Sequence, residues 1–261
     1  MRILIGNTGL IGKTISENEN FDFSFNSKNI GEFRDIVKNG DELFLSCLPA
    51  TKWLVNQNIN DDILNINKLI NIFSYASYSK ITLISTIDIY KDSPLFVNEN
   101  YHPNVSKLSY GNNRYFFELL VKQTLKYDDL KIFRLPALFG KHIKKNILFD
   151  LLTNNNVDKI NMDSTYQWYN LEHLNTDIKR YCEYYPSKTE FNFFTEPLHT
   201  SFIVDLFPEH KEIIKDNIRE SVTYDYKTIY GNNNGYMYSK NLIINDIKNF
   251  INEFRSQSLC V

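Results

Sequence analysis

The chain opens with "RILIGNTGLIG", an apolar run that breaks into glycines at positions 6, 9 and 12. No other stretch restricts the fold as much. A short strand must turn sharply at Gly6, the backbone must run bare past Gly9, and a helix must start so close to the strand that Gly12 carries no side chain. A helix over Leu10–Ser16 then aims its unpaired N–H groups and positive dipole end at the turn, which suits a pyrophosphate. Strand, glycine turn and helix in this order predict a dinucleotide site built from Gly6, Thr8, Gly9, Leu10, Ile11 and Gly12.

An acidic residue about 20 positions past the first glycine would hold the adenosine ribose of NAD. The segment "FSFNSKN" supplies Asn26, Ser27 and Lys28 there instead. A carboxylate would repel a 2′-phosphate, whereas these donors and one positive charge accept it. The pattern leans to NADP over NAD, with an ordinary polar turn as the alternative.

Short apolar runs alternate with helical patterns through the first half. "DFSFN", "ELFLSC", "KITLIST" and "LKIFRL" read as further strands. Residues 61–79 carry Ile63, Ile66, Ile70 and Phe73 at helical spacing, and 109–126 reads as another helix. Such alternation implies an α/β fold, a doubly wound parallel sheet with right-handed crossovers. After Gly140 the pattern loosens. The expected division is a dinucleotide-binding domain over 1–140 with a returning segment at about 165–182. A smaller C-terminal substrate lobe comes from 141–164 and 183–261. It is expected over the carboxyl ends of the strands, where open α/β sheets bind ligands.

Composition removes other classes. Basic residues number 29 against 31 acidic ones, so no basic stripe points to nucleic acid. Cys47, Cys182 and Cys260 are odd in number and widely spaced, and read as free thiols in a reducing compartment. No cysteine or histidine pair has metal-ligand spacing, and no metal is assigned. No run approaches the ~18 apolar residues of a membrane span, and the N-terminus lacks the plan of a signal peptide. A soluble cytoplasmic protein without membrane contact is expected.

Five segments in order carry a resemblance: "GNTGLIG", "LISTIDIY", "YGNNR", "FRLPALFG" and "QWYNLEHL". Together they resemble the extended short-chain dehydrogenase/reductase family, the Rossmann-type epimerases, dehydratases and reductases of sugar nucleotides. The similarity runs to about residue 180, with "TEP" at 195–197 beyond it. It implies Tyr110 as catalytic acid/base and Thr86 as the hydroxyl on the substrate oxygen, with Ser85 beside it. It also implies Asn65 on the helix behind the nicotinamide, and Cys47 and Leu48 along the cofactor. The other reading of Tyr110 is a ring that packs the start of an amphipathic helix.

The sequence departs from the family at Arg114, where a lysine normally binds the nicotinamide ribose and lowers the tyrosine pKa. An ordinary tyrosine titrates near ~10, and a fixed cation favours its phenolate. Arginine keeps the charge but aims its donors differently. Thr86 is followed by Ile87 and Asp88, so the acid pair of the family's dehydratases is incomplete. Reduction or epimerisation remains, and the lean to NADP favours reduction. Asp88, Lys145, Asn146 and Gln167 are candidate contacts to a nucleotide-diphosphate sugar, with capping of its loop as the other role for Asp88. Trp168 is expected in the core, and a homodimer through helices 61–79 and 109–126. The expected activity is NAD(P)-dependent reduction of a keto-sugar nucleotide. The alternatives are an epimerase, or a non-catalytic dinucleotide-binding sensor with a decayed site.

Overall fold

The computed structural model describes residues 1–214 and 220–258; Cys260, expected as a third free thiol, lies outside them. In chain order the strands are β1 (Arg2–Ile5), β2 (Phe23–Phe25), β3 (Asp41–Leu45), β4 (Ser77–Thr86), β5 (Lys126–Leu135), β6 (Ala137–Phe139), β7 (Thr165–Tyr166), β8 (Trp168–Asn170), β9 (Glu190–Asn192) and β10 (Leu198–His199). The helices are α1 (Leu10–Ser16), α2 (Phe33–Ile36), α3 (Lys52–Gln57), α4 (Ile59–Phe73), α5 (Tyr110–Thr124), α6 (Ile147–Thr153), α7 (Leu174–Tyr184), α8 (Thr200–Val204) and α9 (Lys240–Ser258).

The chain forms two compact units. One comprises Met1–Pro94, Glu99–Leu135 and His173–Asn192; the other comprises Leu95–Asn98, Pro136–Glu172 and the chain from Phe193. The first holds a six-stranded, all-parallel sheet in the order β2-β1-β3-β4-β5-β9, the doubly wound sheet expected from the sequence. Alternate strand residues face opposite sides. Ile3, Ile5, Leu43, Leu45, Ile81, Leu83, Leu130 and Ile132 line one face. Phe33 of α2, Ile66, Ile70 and Phe73 of α4, and Phe117 and Val121 of α5 join them in one buried cluster. Each such side chain contributes about 1.5–3 kcal/mol when fully buried. The other face carries Arg2, Glu42, Lys80, Thr82 and Lys131 among Phe44 and Phe133. Tyr181 and Tyr185, at the end of α7, pack on Phe191, which stacks on Phe133. A cavity of about 400 Å³ on this side is lined by Ile15 of α1 and by Asn175 and Ile178 of α7.

Several boundaries differ from the sequence expectation. The helix expected over 61–79 stops at Phe73, because Ser77 and Tyr78 pair with Lys126 and Tyr127. The Tyr78 hydroxyl donates to the Phe73 carbonyl at 2.6 Å, closing the helix end. β5 starts at Lys126, four residues ahead of "LKIFRL", since its charged "KYDD" start hides the pairing. β9 was not anticipated, being three residues long.

In the second unit, Phe139, Leu148, Trp168, Ile203, Ile243 and Ile247 lie in one core cluster. Trp168 is 1% exposed, as expected of a core residue. Among the described residues no helix is long and apolar enough to cross a membrane.

Candidate active site

All strands of the first unit run the same way, so the loops after β1, β2, β3 and β4 emerge on one edge, the edge where open α/β sheets bind ligands. Contacts between these loops form a continuous row. Gly6 turns with φ +96°, and a Cβ there would overlap the Ser46 carbonyl beyond β3. Its N–H donates to Phe25 O at 2.7 Å. Gly9 is exposed and Gly12 buried, so the loop shows bare backbone outward and packs tightly inward. Thr8 is exposed, and Leu10 and Ile11 are half-buried on the first turn of α1. A loop of this form fits a pyrophosphate.

Asn26 joins the β2 end to this loop. Its Nδ2 donates to Asn7 Oδ1 at 3.1 Å, and its Oδ1 accepts from Lys28 N at 2.9 Å. Ser27 and Lys28 are exposed. Cys47 and Leu48 are half-buried against the apolar core, and burial pushes the Cys47 thiol up to about 12. That thiol is a packing group that stays protonated. Asn65 is half-buried on α4.

The catalytic candidates gather where α5 begins. Ser109 caps this helix, its side chain accepting from Asn112 N at 3.2 Å. Tyr110 N–H donates to Asn56 Oδ1 at 2.9 Å. Gly111 lies so close to the turn after β4 that a Cβ would overlap the Asp88 carbonyl. This glycine presses Tyr110 and the end of β4 into one neighbourhood. It went unnoticed in the sequence, although a glycine in the first turn of a helix is a visible sign of close approach. Thr86 is half-buried, and its Oγ1 accepts from Asp88 N at 3.2 Å.

Arg114 stacks its guanidinium 4.5 Å from the centre of the Tyr110 ring. Its charge is also matched. Nη1 donates to Asp62 Oδ2 at 2.7 Å, and Nη2 donates to Asp62 Oδ1 at 3.1 Å and to Pro49 O at 2.7 Å. Asn113 Nδ2 donates to the same carboxylate at 2.8 Å. Asp62 was missed in the sequence, yet an acid on the Ile66–Ile70–Phe73 stripe of α4 signals a buried partner.

Tyr110 is 7% exposed. Burial drives its pKa up, the Arg114 guanidinium opposes this, and the Asp88 and Asp62 carboxylates push it further up; the net shift is upward. Arg114 favours the phenolate as expected, by its charge and by a hydrogen bond to the hydroxyl, but it does not decide the outcome. Desolvation outweighs the cation, and two carboxylates counter it.

Other predicted contacts resolve into structural roles. Ser85, expected at the cofactor, donates its hydroxyl to buried Glu118. Asp88 acts in the turn as cap partner of Thr86, and its carboxylate pairs with Lys52. Gln167, expected at the substrate, is 1% exposed. Its amide donates to Thr195 O and Tyr226 O and accepts from Tyr226 N, leaving no group for a ligand. Asn146 caps α6, accepting from Phe149 N at 3.0 Å and donating to Leu138 O at 2.7 Å. Lys145, beside it, is exposed. The cavity on the far face of the sheet, lined among others by Arg2, Phe44, Lys80, Asn175 and Cys182, touches none of the predicted site residues.

No protein-family model matches the chain, and no curated protein matches it. Solved structures do. A dTDP-4-dehydrorhamnose reductase from Clostridium acetobutylicum superposes with TM-score 0.69 at 14% identity, over 98% of this chain and 100% of that one. A dTDP-4-dehydrorhamnose reductase from Bacillus anthracis in complex with NADP gives 0.66 at 17% identity, over 97% and 98%. MoeE5 in complex with UDP-glucuronic acid and NAD gives 0.71 at 13% identity, over 98% and 99%. The chain thus shares the fold of these structures over 97–98% of its length, the fold that the motif order implied.

Proposed function

We propose that the protein is an NAD(P)-dependent oxidoreductase that reduces a keto group on a nucleotide-activated sugar, with Tyr110 as proton donor and Thr86 as the hydroxyl on the carbonyl oxygen. The observation that carries this reading is the lodging of Tyr110, through Gly111, against the end of β4, in the same row of strand ends as the glycine turn. End-to-end likeness to reductases and other enzymes of sugar nucleotides supports the substrate class. The dinucleotide supplies the hydride when bound. The chain's own part is to cradle the pyrophosphate at Gly6–Gly12, meet the adenosine end with Asn26, Ser27 and Lys28, and deliver a proton from the Tyr110 hydroxyl. The second unit serves as the substrate lobe, with exposed Lys145 as a cation for the diphosphate. The enzyme works in the cytoplasm as a homodimer packed through α4 and α5, where Leu64 is 66% exposed.

The test is consumption of NADPH with a panel of nucleotide 4-keto-sugars. Turnover is expected, and Tyr110→Phe should lower it by roughly 10²–10⁴-fold. Lys28→Ala should weaken NADPH by about tenfold, or about 1.4 kcal/mol, and leave NADH nearly unchanged in a fluorescence titration. Equal losses for both would remove the preference for NADP. One observation favours a second reading, a non-catalytic dinucleotide sensor: Asp62 and Pro49 already hold the Arg114 guanidinium. Cofactor binding without turnover on any keto-sugar is the outcome that reading requires.

A further inference from the structure

We propose that Asp62, by neutralising Arg114, is a positioning residue that holds the Tyr110 hydroxyl in its neutral form, so that the site acts as a proton donor to a carbonyl and not as a base on an alcohol. This rests on the oxidoreductase reading above and fixes its substrate as a ketone taken up for reduction.

The charged groups that act on the phenol come from three elements: Arg114 lies on the ring's own helix, Asp62 on α4 and Asp88 on the turn after β4. Each is held in an ion pair, Asp88 with Lys52 of α3 beyond it. Arg114 and Asp62 have side chains only 6% and 3% exposed and share a two-pronged contact. Asp88 is 15% exposed and is paired with Lys52. One cation, Arg114, against two carboxylates, Asp62 and Asp88, leaves no net positive charge acting on the phenol. Cys47, a protonated thiol near the guanidinium, adds none. A bare cation beside a tyrosine stabilises phenolate, but a cation with its own buried carboxylate presents little net field. The N-terminus of α5 adds a modest positive dipole, worth less than a full charge. Burial of the ring then decides, and it favours the uncharged form.

The consequence is directional. A neutral phenol protonates the alkoxide that forms as a carbonyl gains hydride; the O–H bond of Tyr110 breaks and the substrate O–H bond forms. An epimerase must begin by taking a proton from an alcohol, for which the phenolate is required. Its rate would rise with pH across the neutral range.

The experiment uses the full chain carrying 13Cζ-labelled tyrosine, titrated by NMR from about pH 6 to about pH 11, with the Tyr110 signal assigned through Tyr110→Phe. The wild-type signal should not move below about pH 10. Asp62→Asn should lower its midpoint by at least about one pH unit, a tenfold fall in proton affinity, because Arg114 is then uncompensated. The double variant Asp62→Asn/Arg114→Met should bring the midpoint back up. Should Asp62→Asn fail to fold, Asp88→Asn at the less buried pair should lower the midpoint in the same sense. A wild-type midpoint below about pH 9, or a midpoint unmoved in the variant that folds, overturns the proposal. The pH–rate profile separates it from the function it rests on. NADPH consumption that is flat between about pH 6 and pH 8 is expected. Consumption that falls about tenfold per pH unit across that range sinks the neutral-phenol proposal and leaves the oxidoreductase standing. A phenol silent below about pH 10 with no turnover on any keto-sugar sinks the oxidoreductase reading and, with it, the assignment of direction.

Discussion

Two buried arginines near α5 use the same chemistry to different ends. Arg134, at the end of β5, is 1% exposed and faces Glu118, which is fully buried. Its Nη1 donates to the Tyr90 hydroxyl at 2.7 Å, and Glu190 closes the other side. Burial works against its charge, but Glu118, Tyr90 and Glu190 raise its pKa well above the ordinary value. Arg114 also has a carboxylate and a tyrosine whose ring it faces and whose hydroxyl it bonds, but it has one carboxylate and the Pro49 carbonyl where Arg134 has two carboxylates. In the Arg134 cluster the polar atoms hold strands and helix together. At Arg114 the pair stands beside the hydroxyl proposed as the proton donor. A buried guanidinium with a carboxylate and a tyrosine is thus no sign of catalysis by itself.

Removing carboxylates tests this contrast most severely. Glu118→Ala strands Arg134 in the core and should cost about 3–5 kcal/mol in urea unfolding. Asp62→Ala should cost less, on the order of 1–3 kcal/mol, because Arg114 keeps the Pro49 carbonyl. Equal losses would erase the distinction. Gly111→Ala comes next. Its methyl must displace the Asp88 carbonyl, and we expect about 1–3 kcal/mol of destabilisation with loss of turnover. Stability loss without any change in turnover would detach Tyr110 from the site.

The smallest effect concerns acid. Burial disfavours the Glu190 charge, but Arg134 and Lys122 more than offset it and hold its carboxyl below the usual range. A depressed folded-state pKa contributes stability that is present above the unfolded value and lost as pH falls through the folded one. The stability gap between wild type and Glu190→Gln should therefore be full at neutral pH and close below about pH 4. A gap independent of pH would mean the Arg134 cluster does not need that charge.

Much of the fold was legible because its causes are local. Gly6, Gly9 and Gly12 state a turn, and Ile66, Ile70 and Phe73 state a helix face. The row of strand ends followed once the sheet was read as parallel. Tyr110 and Thr86 became candidates through motif order. Their electrical setting was not legible, since Asp62, Lys52 and Asp88 come from three separate elements and meet only in the tertiary structure. Gln167 misled for the same reason. An amide that bridges backbone carbonyls in the core looks, in sequence, like one that awaits a ligand.

The sheet of the first unit is discontinuous in sequence, since β9 adds beside β5 only after the chain has left and returned. On a ribosome, Arg134 emerges 56 residues ahead of Glu190, and Lys122 emerges 68 ahead. Until then the nascent sheet ends at β5, an unpaired edge of the kind that invites misassociation. Synthesis of this protein therefore carries a vulnerable interval that closes only when Glu190–Asn192 docks.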